Sequence, residues 1–393
     1  MSNETRKETQ VLPKDVRYVG ADDLTLPLFE NQYPVQPMGV SYNSYLILDE
    51  KIAVMDSVDA RAADEWLAKL AHELDGRSPD YLVISHMEPD HSGSILRLAE
   101  KYQEMKLVGN TKTFTMLRQF FGAKAPTDDR LLEVGEGETL PLGAHTLHFM
   151  LAPMVHWPEV MVAYEETEKL LFSADAFGRF GALSRTAAAP WAPQARRYYY
   201  NIVGKYGAQV QALLKKAAAL EIETICPLHG PVLTGEALGE ALRLYDLWSR
   251  WQSESPDDIL LAHASIHGNT ARAAELLKQK LEAKGARVTL CDLTTTEVSY
   301  AVANAFYCGK LVLACSTYDG GLFPPMEEFL SHLQAKGFRD RSVGLMENGS
   351  WAPAAARLMR AKLEEMKDLR VCGTVVSLRS ALSPASEAQM DAL

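Results

Sequence analysis

Short apolar runs separated by turn residues occupy the first part of the chain, and a stricter alternation of apolar runs with amphipathic stretches follows. Early on, residues 42–48 and 52–55 predict adjacent strands, and the 3.6-residue spacing after them predicts a helix from about residue 60 to residue 74. Residues 81–85 (YLVIS) predict a short strand that is apolar until it meets a polar cluster, and further strands are predicted at 146–151, 160–164 and 169–172. Mixed strands with helices outside them describe a layered α/β sandwich. The polar segment 251–258 (WQSESPDD) changes the character of the chain and is the best linker by composition. Beyond it, strands at 259–264, 288–291, 311–314, 343–346 and 371–376 are expected, with helices at about 271–284, 326–335 and 354–366. Strands alternating with helices of this length form right-handed crossovers and a parallel, doubly wound sheet. The expected domains are therefore 1–252 and 257–393.

Composition narrows the function classes. With 393 residues, two domains are expected. A net charge of −11 with acidic residues spread throughout argues against nucleic acid as a partner, whose phosphate backbone needs clustered Lys and Arg. No run of 18 apolar residues predicts a membrane span, and the polar N-terminus MSNETRKETQVLPKD has no secretory h-region. The five cysteines form no CxxC pair, which fits a reducing cytoplasm and argues against iron–sulfur and cysteine-type zinc sites.

The densest chemistry is His86-Met-Glu88-Pro-Asp90-His91, one residue past the predicted YLVIS strand. Ligand sites in α/β sheets gather at such strand ends. His156 in PMVHWPE, Asp175 in FSADAFG and His229 in CPLHG extend the pattern. Three carboxylates and four imidazoles make a harder ligand set than a mostly histidine zinc site, suited to iron or manganese. Three carboxylates plus a hydroxide would neutralise two ferrous ions, and a bridging Asp175 would leave each metal an open position. Singly, His156 and His229 could be hydrogen-bonded core histidines, Asp175 a helix cap and Asp90 part of a polar turn; the ordered set favours metals. His72, His145, His148, His263 and His332 have no such context and read as structural.

A second cluster lies in the later part. Ser265-Ile-His267-Gly268-Asn269-Thr270 joins a strand to a helix and offers backbone N–H groups and hydroxyls to a phosphate. Without the lysine of a GxxxxGK[ST] loop it is no nucleoside-triphosphate site. Ser316-Thr317-Tyr318-Asp319-Gly320 follows the third strand, and Glu347-Asn-Gly349-Ser350-Trp351 the fourth, both at the carboxyl edge of the sheet. Tyr318 and Trp351 could flank an aromatic ring.

The order HxExDH…H…D…H resembles the metallo-β-lactamase superfamily, with Glu88 in place of the second histidine of HxHxDH. The segments YNSYLI, HMEPDH, MVHWPE and LFSADAFG are similar to the flavodiiron family, which carries that replacement, and the three later loops resemble flavodoxins. The resemblance covers nearly the whole chain. It implies an αββα metallo-β-lactamase-like sandwich followed by a flavodoxin-like FMN domain, and an oxidoreductase in which His86, Glu88, Asp90, His91, His156, Asp175 and His229 hold two non-haem irons. The implied reaction is reduction of dioxygen to water, of nitric oxide to nitrous oxide, or both, in a head-to-tail homodimer or dimer of dimers. Ser265 and His267 depart from the usual flavodoxin threonines, and the Trp351 loop from the common Ser/Gly-rich version. Since no rubredoxin or flavin-reductase extension follows the last helix, a separate donor such as rubredoxin or a reduced deazaflavin is expected. Trp157 and Phe177 are candidates for tuning the choice of gas. A zinc-dependent hydrolase with a flavodoxin module, and an electron carrier on an inert lactamase scaffold, are the competing readings.

Overall fold

Strands whose every residue is buried show why the early apolar runs lack clean alternation. Tyr45–Ile47 and Ala53–Met55 are buried on both faces, one against a facing sheet and one under helices. In this computed structural model, which describes residues 12–186 and 188–393, the chain divides into two compact units, one containing the stretches up to Tyr199 and Ala208–Asp246, the other Tyr200–Gly207 and Leu247–Leu393.

The first unit holds two six-stranded sheets. One runs in the order Val16–Tyr18, Tyr45–Ile47, Ala53–Met55, Tyr81–Val83, Lys106–Gly109, Leu131–Glu133. The other runs Thr139–Pro141, Thr146–Leu151, Met161–Glu165, Leu170–Phe172, Thr224–Cys226, Leu233–Thr234. Tyr45, Ile47, Met55, Val83 and Val108 of the first share one core with Leu147, Phe149, Met161, Phe172 and Cys226 of the second, the facing-sheet arrangement of the expected sandwich. On the helix Ala63–Leu74, Ala63, Trp66, Leu70 and Leu74 form the buried stripe, and Asp75 at φ 45° and Gly76 at φ 83° end it.

The second unit is a five-stranded parallel sheet in the order Val288–Asp292, Ser255–Ala264, Cys308–Tyr318, Ser342–Asn348, Arg370–Leu378, with the short strand Gly321–Leu322 paired to the third of these in sequence. The chain begins in the second position and winds outward both ways, so loops at the carboxyl ends of its strands open a crevice.

Three expectations change. The 42–48 segment is not one strand: Val40–Tyr42 pairs with Ala21–Asp23, and the break at Asn43 lets its backbone N–H reach the Leu228 carbonyl at 2.8 Å. The polar 251–258 segment is partly strand, since Ser255–Ala264 begins within it and Ser255 pairs with Cys308. Only Gln252, Pro256 and Asp257 of it are exposed and Ser255 is buried, so the segment is no free tether. A helix at Val298–Tyr307 supplies the crossover that the sequence reading omitted. It buries Ala301, Val302, Ala303, Ala305 and Phe306 on several sides, so it has no polar stripe to betray its period.

Candidate metal centre and flavin cleft

The metal-type ligands lie on loops at strand ends, and each loop is held from its backbone. After Tyr81–Val83, the Asp56 carboxylate accepts the Ser85 N–H at 2.7 Å. Glu88 leads into a one-turn helix, Pro89–Ser92, with proline at its first position. Ser92 Oγ donates back to the Met87 carbonyl at 2.8 Å, so Asp90 and His91 share one rigid turn. The His229 loop is clamped by the YNSYLI segment: Asn43 Nδ2 donates to the carbonyls of Pro227 (2.7 Å) and Gly230 (2.8 Å), and the Tyr45 hydroxyl donates to that of Pro227 (2.8 Å).

These loops bring all seven sequence-predicted ligands together in two groups, His86, Glu88, His156 and Asp175 in one and Asp90, His91 and His229 in the other. In the first group, Nε2 of His86 is 3.3 Å from Glu88 Oε2 and 3.6 Å from Asp175 Oδ2, while Nε2 of His156 is 3.1 Å from each of the same oxygens. In the second, Nε2 of both His91 and His229 lies 3.2 Å from Asp90 Oδ2, and the two stand 3.1 Å and 3.7 Å from Asp175 Oδ1. Asp175 thus turns one oxygen to each group.

The residues fit a pair of cations. Donors bound at about 2.0–2.2 Å to one ion stand about 3.0–3.6 Å apart, the spacing seen in both groups. Both Asp90 oxygens, Asp175 Oδ1 and the Nε2 atoms of His91 and His229 are buried without a hydrogen-bond partner among the described residues. Buried polar atoms rarely go unsatisfied unless an ion completes them. Charge states fit as well. Burial opposes a charged imidazole, yet the carboxylates outweigh it: Asp90 and Asp175 raise His91 to about 8, and hydrogen bonds to Asp175 and Glu88 raise His156 to about 9. Burial likewise opposes ionisation of Glu88 and Asp175, but the imidazoles hold both well below the usual carboxylate range.

Four contributors escaped sequence reasoning. Glu159 accepts from Nδ1 of His86 at 2.7 Å, and Ser41 presents its carbonyl to Nδ1 of His229 at 2.6 Å. The Tyr198 ring lies 5.6 Å from that of His229, and its buried hydroxyl has no hydrogen-bond partner among the described residues. Burial first, then the charges of Asp175, Asp90 and Glu88, push its pKa well above the ordinary value, so it remains a neutral O–H. Glu30 occupies a hairpin turn at φ 50° and hydrogen-bonds Glu88. Local desolvation and then the Glu88 charge raise its carboxyl to about 7, although the residue as a whole is exposed. A positive φ at Glu30 is strain that functional sites tend to retain. Of the two aromatic candidates, Trp157 sets its ring 5.2 Å from that of His86, while Phe177 packs on Tyr245 at 4.2 Å.

In the second unit, the crevice is a cleft of about 540 Å³ lined by Ser265, His267, Asn269, Thr270, Ser316, Thr317, Tyr318, Asp319, Gly320, Gly349, Ser350 and Trp351, with Asn348 and Ser380 added by the structure. Gly268 lies outside this lining and serves the turn instead, at φ 85° with its N–H on Ser265 Oγ at 3.1 Å. The loops are tied together beneath the cleft: Thr270 Oγ1 pairs with Ser316 Oγ at 2.8 Å, and Asn348 Nδ2 donates to Thr270 Oγ1 at 3.2 Å and to the Ser380 carbonyl at 2.9 Å. A side chain at Gly349 would meet the Pro353 backbone at 2.6 Å. Trp351 is 88% exposed and Tyr318 44%, so neither ring is spent on the core. The size and the mix of hydroxyls, backbone N–H groups and free aromatic faces suit a flavin nucleotide.

A facing-sheet domain with a two-group carboxylate–histidine site, joined in one chain to a doubly wound flavin-type domain, defines the class. Residues 40–230 match the family described as ODP family beta lactamase. The chain is 28% identical over 356 residues to a rubredoxin-oxygen oxidoreductase of Megalodesulfovibrio gigas, covering 88% of this chain and 87% of that protein. It is 27% identical over 361 residues to a nitric oxide reductase of Moorella thermoacetica, covering 90% and 88%. Among solved structures, the flavodiiron protein from Giardia intestinalis superposes with a TM-score of 0.89 at 25% identity, covering 98% of this chain and 94% of that one. The rubredoxin oxygen:oxidoreductase from Desulfovibrio gigas gives 0.89 at 26%, covering 98% and 96%. Over nearly its whole length the chain is similar to flavodiiron proteins.

Proposed function

We propose that this protein is an oxidoreductase that passes electrons from an external donor through FMN to two non-haem irons, reducing dioxygen to water, nitric oxide to nitrous oxide, or both. The supporting observation is Asp175, whose two oxygens face two separate ligand groups, in a chain that also carries a flavin-type cleft. Relatives named for oxygen and for nitric oxide reduction support the same reading. In it, residues 1–252 carry the metals on His86, Glu88, Asp90, His91, His156, Asp175 and His229, and residues 257–393 carry the FMN.

When bound, the flavin supplies one- or two-electron transfer and the irons supply reducible centres with open positions for a diatomic gas. The chain's own residues do the rest. Glu88, Asp90 and Asp175 offset the dication charge, so the pair can be buried. Phe29, Tyr42 and Tyr198, with rings 5.3 Å, 6.2 Å and 5.6 Å from that of His229, wall the second group against water. Tyr198 holds a proton at Oη among three carboxylates, ready to donate a hydrogen bond to an oxygen-bearing ligand. In the cleft, Asn269 and Thr270 present a helix N-terminus to a phosphate.

The reading also takes a head-to-tail homodimer or dimer of dimers, so that one subunit's flavin serves its partner's metals. It takes a separate donor of the rubredoxin or deazaflavin type. A cytoplasmic location fits the five free cysteines, and no helix among the described residues is long and apolar enough to cross a membrane. Stopped-flow mixing of the reduced protein with each gas, alongside elemental analysis, tests the proposal. Iron-dependent turnover of at least one gas is expected; zinc without iron, together with hydrolase activity, would refute it.

A further inference from the structure

Counted by protein ligands, the two metal positions are matched: each has two histidines and one carboxylate of its own, and they share Asp175. Behind the histidines the match ends. Nδ1 of His86 lies 2.7 Å from Glu159 Oε1, with both side chains wholly buried. The same oxygen accepts the Met87 N–H at 2.9 Å, and Asn110 donates to the Glu159 carbonyl at 2.6 Å, so the carboxylate cannot swing away. Its other oxygen is buried with no hydrogen-bond partner among the described residues. In the second group, Nδ1 of His229 meets only the neutral Ser41 carbonyl, at 2.6 Å, and Nδ1 of His91 has no hydrogen-bond partner among the described residues. Glu30, the other carboxyl near the first group, hydrogen-bonds Glu88 rather than the Nδ1 of a histidine.

We infer that Glu159 is a positioning residue that makes the His86–Glu88–His156 position the more electron-rich of the two, and so sets the metals apart in affinity and potential. The inference rests on the two-metal reading above. A carboxylate accepting from Nδ1 fixes the tautomer that leaves the Nε2 lone pair free for the metal, and its charge makes that lone pair a stronger donor. A carbonyl fixes the tautomer without the charge. The position backed by Glu159 therefore binds a divalent ion more tightly and favours the higher oxidation state. In the one-electron-reduced pair, the ferric ion sits with His86 and the ferrous ion with Asp90, His91 and His229.

The test is Glu159→Gln, whose amide oxygen can still accept from Met87 and His86 while the charge is gone. Anaerobic titration of the metal-free full chain with Co(II), followed by its visible bands, should show two separable steps in the natural protein. In E159Q the tighter step should weaken by about 10–100-fold and the other should hold. Mössbauer spectra of the half-reduced iron-57 protein should show one ferric and one ferrous site, with less of this mixed form in E159Q. Unchanged titration steps and an unchanged mixed-valent fraction would overturn the inference. Should E159Q fail to fold, nitrogen-15 histidine spectra of the natural protein loaded with Zn(II) decide the matter: His86 must show a protonated Nδ1 and a metal-bound Nε2, and the reverse tautomer overturns it. A natural protein that takes up no metal pair would sink both this inference and the proposed function, whereas a pair indifferent to E159Q sinks this one alone.

Discussion

Loading the metal-free protein at pH 7 should eject protons, because three of the imidazoles that must bind through Nε2 are charged there. His91 is raised to about 8, His156 to about 9, and His86 well above its ordinary value, while Glu88 and Asp175 are already ionised. A metal needs the neutral imidazole, so each charged ring adds a proton competitor. At about 1.4 kcal/mol per pH unit, deprotonation at pH 7 costs about 1.4 kcal/mol for His91 and about 2.7 kcal/mol for His156. Together that is a weakening of roughly a thousandfold, recovered as pH rises to about 9. The metal-free fold responds with the opposite sign. Its imidazolium–carboxylate pairs stabilise it fully below about 6.5, the unfolded value, and that contribution is lost as pH climbs through about 8 and about 9. Metal titration by calorimetry at pH 7, repeated in buffers of different ionisation enthalpy, counts the protons directly. About three per metal pair are expected from these residues. Release of fewer than one, or an affinity flat between pH 6.5 and 9, would show that the carboxylates do not hold the imidazoles charged.

Asp175→Asn should lower uptake of both metals at once and cut gas turnover on the order of 100-fold or more, since one residue serves both groups; loss of a single metal in elemental analysis would contradict its shared role. Thr270→Val removes the hydroxyl bridging Ser316 and Asn348 and should cost about 1–3 kcal/mol of stability along with FMN affinity, read by thermal melting and by quenching of flavin fluorescence. Arg341, fully buried and donating to the carbonyls of Trp251, Phe306, Cys308 and Arg339, should cost about 3 kcal/mol or more when replaced by leucine, visible as a lower urea midpoint of the second unit. Stripping FMN should leave metal content intact while abolishing turnover driven by an external donor, which paired flavin and iron assays would check.

The metal ligands were legible because four of them crowd into six residues and the rest follow in a fixed order. Their outer partners were not. Glu159 stands three positions after His156 yet serves His86, and Asn43 braces a loop 184 residues away. Such pairings are made by the fold and leave no spacing to read. The flavin loops were found by composition, but Asn348 and Ser380 are joined only through a side-chain amide. Among the elements, Val298–Tyr307 was hidden because burial on several sides erased its period, and Ser255–Ala264 began unseen because polar residues suit a strand end as well as a tether.

Residues 200–207 belong to the second unit although the first unit resumes at Ala208. Tyr200 stacks on Phe306 at 3.9 Å with rings only 10° from parallel, and Asn201 donates to the Ser299 carbonyl at 3.1 Å. On the ribosome this segment emerges about 100 residues before the ring it must meet, a wait of roughly 5–20 s at ordinary synthesis rates. Throughout that interval an early piece of the later unit hangs from a nearly finished earlier one. Nor does any single scission part the two: a gene fragment beginning at Leu247 would leave Phe306 without its stacking partner. Recombination that moved the flavin-type unit into a new protein would have to carry the separate eight-residue segment Tyr200–Gly207 along with it.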